Sequence, residues 1–164
     1  MKSGENMLIH TNNLPPGYQI ECEQDYLLFA NEKLFVVTSN DELIFIKKSP
    51  SPYENRQDEP GILLYQTGFP RVAATWLINT IENRLWKSAA EGGEPSGKNS
   101  VTEVVAGEEL TVRRVMAVGD DQSKGFVLIN ASRDNIKFRE NFQEIQVSDR
   151  LLKEGGLLDA LRQL

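Results

Sequence analysis

Cysteine and histidine are nearly absent: 164 residues contain one of each, Cys22 and His10. A single cysteine excludes an intramolecular disulfide and any thiolate cluster for zinc or iron–sulfur. Neither a metal nor a cofactor is expected. Nucleophilic chemistry is poorly served as well. His10 lies in a polar N-terminal stretch, and Glu21 and Glu23 beside Cys22 raise a thiol pKa rather than lower it. Long apolar runs are also missing, with no window near the ~20 residues of a spanning helix and no run of signal-peptide length at the start. These absences lead to the expectation of a cytoplasmic protein with no membrane partner. Basic residues are in deficit, 18 Lys and Arg against 24 Asp and Glu, for a net charge of −6. Such a charge repels polyphosphate at long range, which disfavours nucleic acid unless basic residues gather on one face.

What is present has the balance of a globular chain, 40% hydrophobic and 26% charged. The length suits one domain, long enough to bury a core without staples. Residues 68–90 carry the strongest helical pattern, with Ala74, Leu77, Ile78, Ile81 and Leu85 at three- and four-residue spacing on one face. Pro70 suits a first turn, and Gly92-Gly93 supply a stop. Trp76 and Trp86 widen this stripe and form a candidate partner surface wherever either is exposed.

Around that helix the chain reads as strands. Residues 18–22, 25–30, 33–39 and 42–48 are short β-type runs with corners at Asn31-Glu32 and Asn40-Asp41. Residues 49–60 read as a loop, and 61–66 as a further strand. After 89–100, with the composition of a linker, strands recur at 101–105, 108–118, 125–132, weakly at 135–139, and at 144–148. The end starts from an N-cap at Ser148 or Asp149, and Gly155-Gly156 divides it into two short helices.

The expected fold is α+β: two antiparallel blocks, each of four or five strands followed by a helix, with the sheets packed on each other and helices outside. Residues 1–16 are expected to be a loosely held arm. Residues 17–164 are expected to form a single domain of two halves, 17–90 and 101–164, joined by 91–100. Runs such as Leu34-Phe35-Val36-Val37, Leu43-Ile44-Phe45-Ile46 and Phe126-Val127-Leu128-Ile129 are continuously apolar, so both faces of those strands need a cover. Two helical regions cannot supply all of it, which makes the other sheet or a second subunit the remaining cover and a homodimer the expected assembly. By contrast, 108–118 alternates, with Leu110, Val112 and Met116 set against Thr111 and Arg113, as a strand with one wet face does.

Several motifs fail on context. Residues 92–99 have P-loop spacing through Gly92, Gly97 and Lys98, but Asn99 replaces the Ser or Thr that holds Mg²⁺, and the stretch follows a helix instead of a strand. Asp120-Asp121 lacks the alternating oxygen ligands of a calcium loop. Ser49-Pro50 and Ser51-Pro52 read as turn residues before phosphorylation sites, and Asn130-Ala131-Ser132 matches a glycosylation acceptor by chance. The most serious functional pattern places basic residues beside aromatics on strands: Lys47-Lys48 after Phe45, Arg113-Arg114, and Lys137-Phe138-Arg139. Strand alternation puts Lys137 and Arg139 on one face with Phe138 on the other, and it divides Arg113 from Arg114.

The order of four strands then a helix, twice, resembles that of the single-stranded-DNA-binding regulators of the PC4, Whirly and Pur class. The resemblance implies single-stranded nucleic-acid binding, for which the strand pattern of basic residues offers Lys47, Arg113, Arg114, Lys137 and Arg139 as the candidate surface. The residues themselves favour a non-enzymatic binding or adaptor protein acting through protein contacts and self-association. An enzyme built on paired carboxylates is the third reading, because 24 acidic residues offer many pairs.

Overall fold

The structure is a computed structural model that describes residues 8–26, 31–50, 62–119, 122–136 and 141–164. Strands β1 (Gln19–Asp25), β2 (Lys33–Thr38), β3 (Glu42–Pro50) and β4 (Ile62–Pro70) form one antiparallel sheet in the order β1-β2-β3-β4. Strands β5 (Ser100–Val105), β6 (Glu108–Val118), β7 (Ser123–Asp134) and β8 (Phe142–Ser148) form a second, in the order β5-β6-β7-β8. Helix α1 (Ala73–Asn79) continues into a π-helical stretch, Thr80–Leu85, after the first sheet; α2 (Asp149–Lys153) and α3 (Leu157–Arg162) follow the second. The α+β class and the twofold order of strands then helix are as the sequence implies.

The turns follow local chemistry. Asn31 takes a positive φ of 65° before β2, and Ala106 and Gly107, at 50° and 82°, make a two-residue turn between β5 and β6 whose twist matches the flanking strands. Ser148 caps α2, its hydroxyl accepting from the Leu151 N–H at 3.0 Å.

The long helix differs from its sequence reading at both ends. Residues 68–70 complete β4, and helix begins only at Ala73. Tertiary bonds override local preference here: Gly68 N–H donates to Gln143 Oε1 at 2.7 Å, Gly68 C=O accepts from Asn130 Nδ2 at 2.9 Å, and Phe69 is buried edge-on to Phe45. At the other end the α-pattern gives way to π geometry, with Trp86 N–H bonded to Ile81 C=O at 2.9 Å. Residues 18–22 and 25–30 read as two strands, but Gln19–Asp25 is one strand with a bulge between Ile20 and Cys22; residues 27–30 lie outside the described residues.

One apolar cluster unites both halves. Leu34, Val36, Phe45 and Phe69 of the first sheet meet Leu110, Val112, Phe126, Leu128 and Val147 of the second, together with Leu77 and Ile81 of the first helical run and the leucines of α2 and α3. Each such side chain contributes about 1.5–3 kcal/mol by full burial. That packing, and not intrinsic propensity, holds helices of five to seven residues.

The opposite face of the first sheet carries a second cluster, Phe35, Val37, Ile44, Ile46 and Leu64. Its cover comes from the chain's own N-terminal segment: Ile9 is 1% exposed within it, Leu8, Leu14 and Tyr18 pack alongside, and Ile9 N–H donates to Gln66 Oε1 at 2.7 Å. The part of the N-terminal arm that is described is therefore packed on the sheet. Residues 89–100 are likewise tied. Ser88 and Glu91 form a capping box, Glu94 N–H donates to Arg84 C=O at 2.8 Å, and the Glu94 carboxylate bridges Arg84 and Lys98. A Cβ at Gly93 would stand 2.0 Å from Lys87 C=O, so this corner folds back on the helix end and cradles no phosphate.

Candidate functional site

The two sheets meet along a seam where β4 lies against β7 and β8. Its centre is a buried ionic clasp. Arg133 on β7 is 3% exposed; it donates to both oxygens of Glu42 on β3, at 2.7 and 2.8 Å, and to both oxygens of Glu108 on β6, at 2.6 and 2.9 Å. Asn130 adds a donor to Glu108 at 3.0 Å. Burial opposes the Arg133 charge, but the hydrogen bonds and charges of Glu108 and Glu42 outweigh it, and the guanidinium is held above its ordinary pKa. Charges this buried are tolerated because every one is paired. Gly68 makes room for them: a Cβ there would fall 2.6 Å from the Arg133 guanidinium. Glu42 and Glu108 thus both accept from one arginine.

Further along the seam lies a cleft of about 240 Å³ lined by Tyr26, Lys47, Tyr65, Thr67, Glu144, Ile145 and Gln146. Lys47 stands directly across from Tyr65 in the β3–β4 register. Its ammonium is 4.4 Å from the Tyr65 ring centroid, 5.6 Å from that of Tyr26, and 3.9 Å from the Glu32 carboxylate. Burial lowers the Lys47 pKa, against the opposing charge of Glu32. The Tyr26 hydroxyl donates to Gln146 C=O, and Thr67 Oγ1 donates to Glu144 C=O at 2.9 Å, so both hydroxyl protons are committed to the facing sheet. Burial, then Glu32, pushes the Tyr26 phenol up.

The second sheet's outer face forms a third feature. Its helices pack on the inner side, and among the described residues neither cluster extends over the outer one. A shallow concavity of about 550 Å³ runs across it, with Thr111 and Arg113 from β6, Ile129 and Ala131 from β7, and Phe142 and Glu144 from β8. Phe142 is 53% exposed, and Val104 on the edge strand 71%.

The residues singled out by sequence are dispersed. Lys47 is in the seam cleft, while Arg113 is exposed on the outer face of the second sheet. Arg114 turns inward, donating to Asp149 at 2.6 and 2.9 Å and stacking on Phe126 at 4.7 Å. Lys137 and Arg139 lie outside the described residues, as do Asp120-Asp121 and Ser51. Trp76 and Trp86 are half-buried and hydrogen-bonded, Trp76 Nε1 to Glu103 at 2.7 Å and Trp86 Nε1 to Asp149 at 3.1 Å. Trp86 also meets Phe126 edge-on at 5.9 Å under the Lys153 ammonium. Asn130 is fully buried in the clasp, closed to glycosylation in the folded chain, and Ser49 is a buried β3 residue that donates to Glu32. The Cys22 thiol is raised chiefly by burial, with Glu21 adding to it.

Sequence reasoning missed Tyr26, Tyr65 and Arg133. Tyr65 had a usable signal, since its strand and that of Lys47 were both legible; pairing them needed only the register. Among the described residues no helix is long and apolar enough to cross a membrane, and no group of three or more His, Cys, Asp or Glu is placed to hold a metal ion. Comparison with protein-family models, curated proteins and solved structures finds no match.

Proposed function

We propose that the chain is a non-enzymatic binding protein that self-associates and makes its protein contacts through the outer face of the second sheet. One observation carries this reading: the corresponding face of the first sheet is sealed by the chain's own residues, whereas this one leaves Phe142 and Val104 in solvent. A second copy of the same chain is the occupant argued for. Arg113 shares its face with Glu109 and Glu144, so a two-fold packing of sheet on sheet sets the arginine of each copy against a carboxylate of the other. With β6 and β7 of 11 and 12 residues, four strands offer roughly 500 Å² in projection at about 3.3 Å per residue and 4.8 Å between strands. A footprint of that size is small, which suits a dimer of modest affinity.

Light scattering coupled to size exclusion tests the assembly. A dimer that dissociates in the micromolar range is expected, with Arg113→Glu weakening it and a second change, Glu144→Arg, restoring it. A monomer at every concentration overturns the reading.

Single-stranded nucleic-acid binding is the second reading, favoured by the order of two four-stranded sheets each followed by helices. Against it, Arg113 lies among carboxylates and Arg114 is occupied by Asp149. Labelled oligonucleotides at low salt decide it by anisotropy: binding that weakens steeply with salt supports it, and no binding ends it.

A further inference from the structure

We infer that the seam cleft is a carbonyl-binding site in which Lys47 forms a reversible imine with a small, uncharged aldehyde. The cleft lies between the sheets and shares Glu144 with the concavity of the outer face; its test reads the Lys47 amine directly, whatever the state of association.

Geometry comes first. The cleft is walled by strands of both sheets, a place where ligand sites recur, and its volume of about 240 Å³ falls under the range of drug-sized sites, about 300–1,000 Å³, so its occupant is small. Tyr26 and Tyr65 give it aromatic walls, which suits an aromatic aldehyde. Among the described residues the charge balance selects against anions. Glu32 already faces the Lys47 ammonium at 3.9 Å, and Glu144 lies on the wall, so a carboxylate- or phosphate-bearing carbonyl compound meets repulsion. What the lysine offers instead is an amine. Both ring contacts and Glu32 favour its charged form, yet burial prevails and a larger fraction is neutral than for a solvated lysine.

The chemistry balances without a redox partner. The nitrogen lone pair adds to the carbonyl carbon, forming the C–N bond; the carbonyl oxygen then leaves as water with the two amine protons, and a C=N bond remains.

Two other lysines serve as internal controls. Lys48, the next residue, points to the other face of β3 and sits 5.0 Å from the Phe35 ring, outside the cleft. Lys33 is solvent-exposed, and its ammonium is held up by the hydrogen bond it donates to Asp25.

The test treats the full chain with benzaldehyde and cyanoborohydride, which reduces any imine to a stable benzylamine, and reads each lysine by peptide mass spectrometry. Lys47 is expected to label faster than Lys48 or Lys33, because burial in the cleft leaves more of its amine neutral. Normalised to Lys48 in the same sample, glyoxylate, an anionic aldehyde, is expected to label Lys47 less than benzaldehyde does. Tyr65→Ser, at a side chain that is 37% exposed, is expected to reduce the Lys47 preference while circular dichroism stays unchanged. Equal labelling of Lys47 and Lys48, faster labelling of Lys33, or a preference of Lys47 for glyoxylate overturns the assignment.

Discussion

The two sheets share strand number and order, and both give one face to the same core, yet their second faces differ. In the first sheet that face is Phe35, Val37, Ile44, Ile46 and Leu64, closed by Ile9 and its neighbours. In the second it mixes Thr111, Arg113 and Glu144 with Ile129 and Phe142; Val127 on that face is buried, and among the described residues neither apolar cluster extends over the rest. The contrast teaches how a small chain spends its residues. A handful of N-terminal residues is enough to complete one sheet, and the sheet left open is the one whose face already mixes charge with apolar surface.

The sharpest way to break the comparison is to cut the clasp that holds both sheets in one body. Arg133→Met strands Glu42 and Glu108 in the interior and is expected to lose about 3–5 kcal/mol, measured by urea unfolding. Next comes the cover itself. Ile9→Ala should cost about 2–5 kcal/mol, since the side chain is buried against the first sheet. Gly68→Ala drives a methyl group toward the Arg133 guanidinium and is expected to cost about 1–3 kcal/mol, the usual penalty of overpacking. On the open sheet the outcome reverses. Phe142→Asp should change stability by no more than about 0.5 kcal/mol while shifting the monomer–dimer balance; a stability loss equal to that of Ile9→Ala would mean that the two faces are not different in kind.

The smallest effect concerns pH. The Trp76 indole N–H, and then Arg84, hold the Glu103 carboxyl below the usual glutamate range. A folded pKa lower than the unfolded one contributes stability that is present above about 4.3 and lost as pH falls through the folded value. The Trp76 indole resonance is expected to move with that protonation, below the pH at which a solvated glutamate titrates.

Much of this was legible locally. The span of β6 was read at its observed limits, because Leu110 and Val112 alternate with Thr111 and Arg113, and the leucines of α3 announce their helix. The start of α1 was not, because Gly68 owes its strand conformation to Gln143 and Asn130, 75 and 62 residues away. The continuous apolar runs correctly demanded a second cover for the first sheet; that it comes from Ile9 has no signature in periodicity, since one isoleucine in a polar stretch has no pattern. Lys47 was singled out for Phe45 beside it in sequence, but its aromatic neighbours are Tyr26 and Tyr65, brought there by pairing and by the seam. Arg133 offered nothing, as its partners lie 91 and 25 residues distant.

The way Asn130 and Gln143 occupy the backbone of Gly68 has a bearing on solubility. An unpaired strand edge invites a further strand, from another molecule as readily as from the same one. Here β4 lies against β8, and the Gly68 N–H and C=O and the Glu144 and Gln146 carbonyls are engaged by side chains from across the seam, which disfavours growth there. Of the two outward edges, β1 is bulged and carries Glu21, Glu23 and Asp25, and β5 is only six residues long. Strand addition is thereby discouraged at each of these margins.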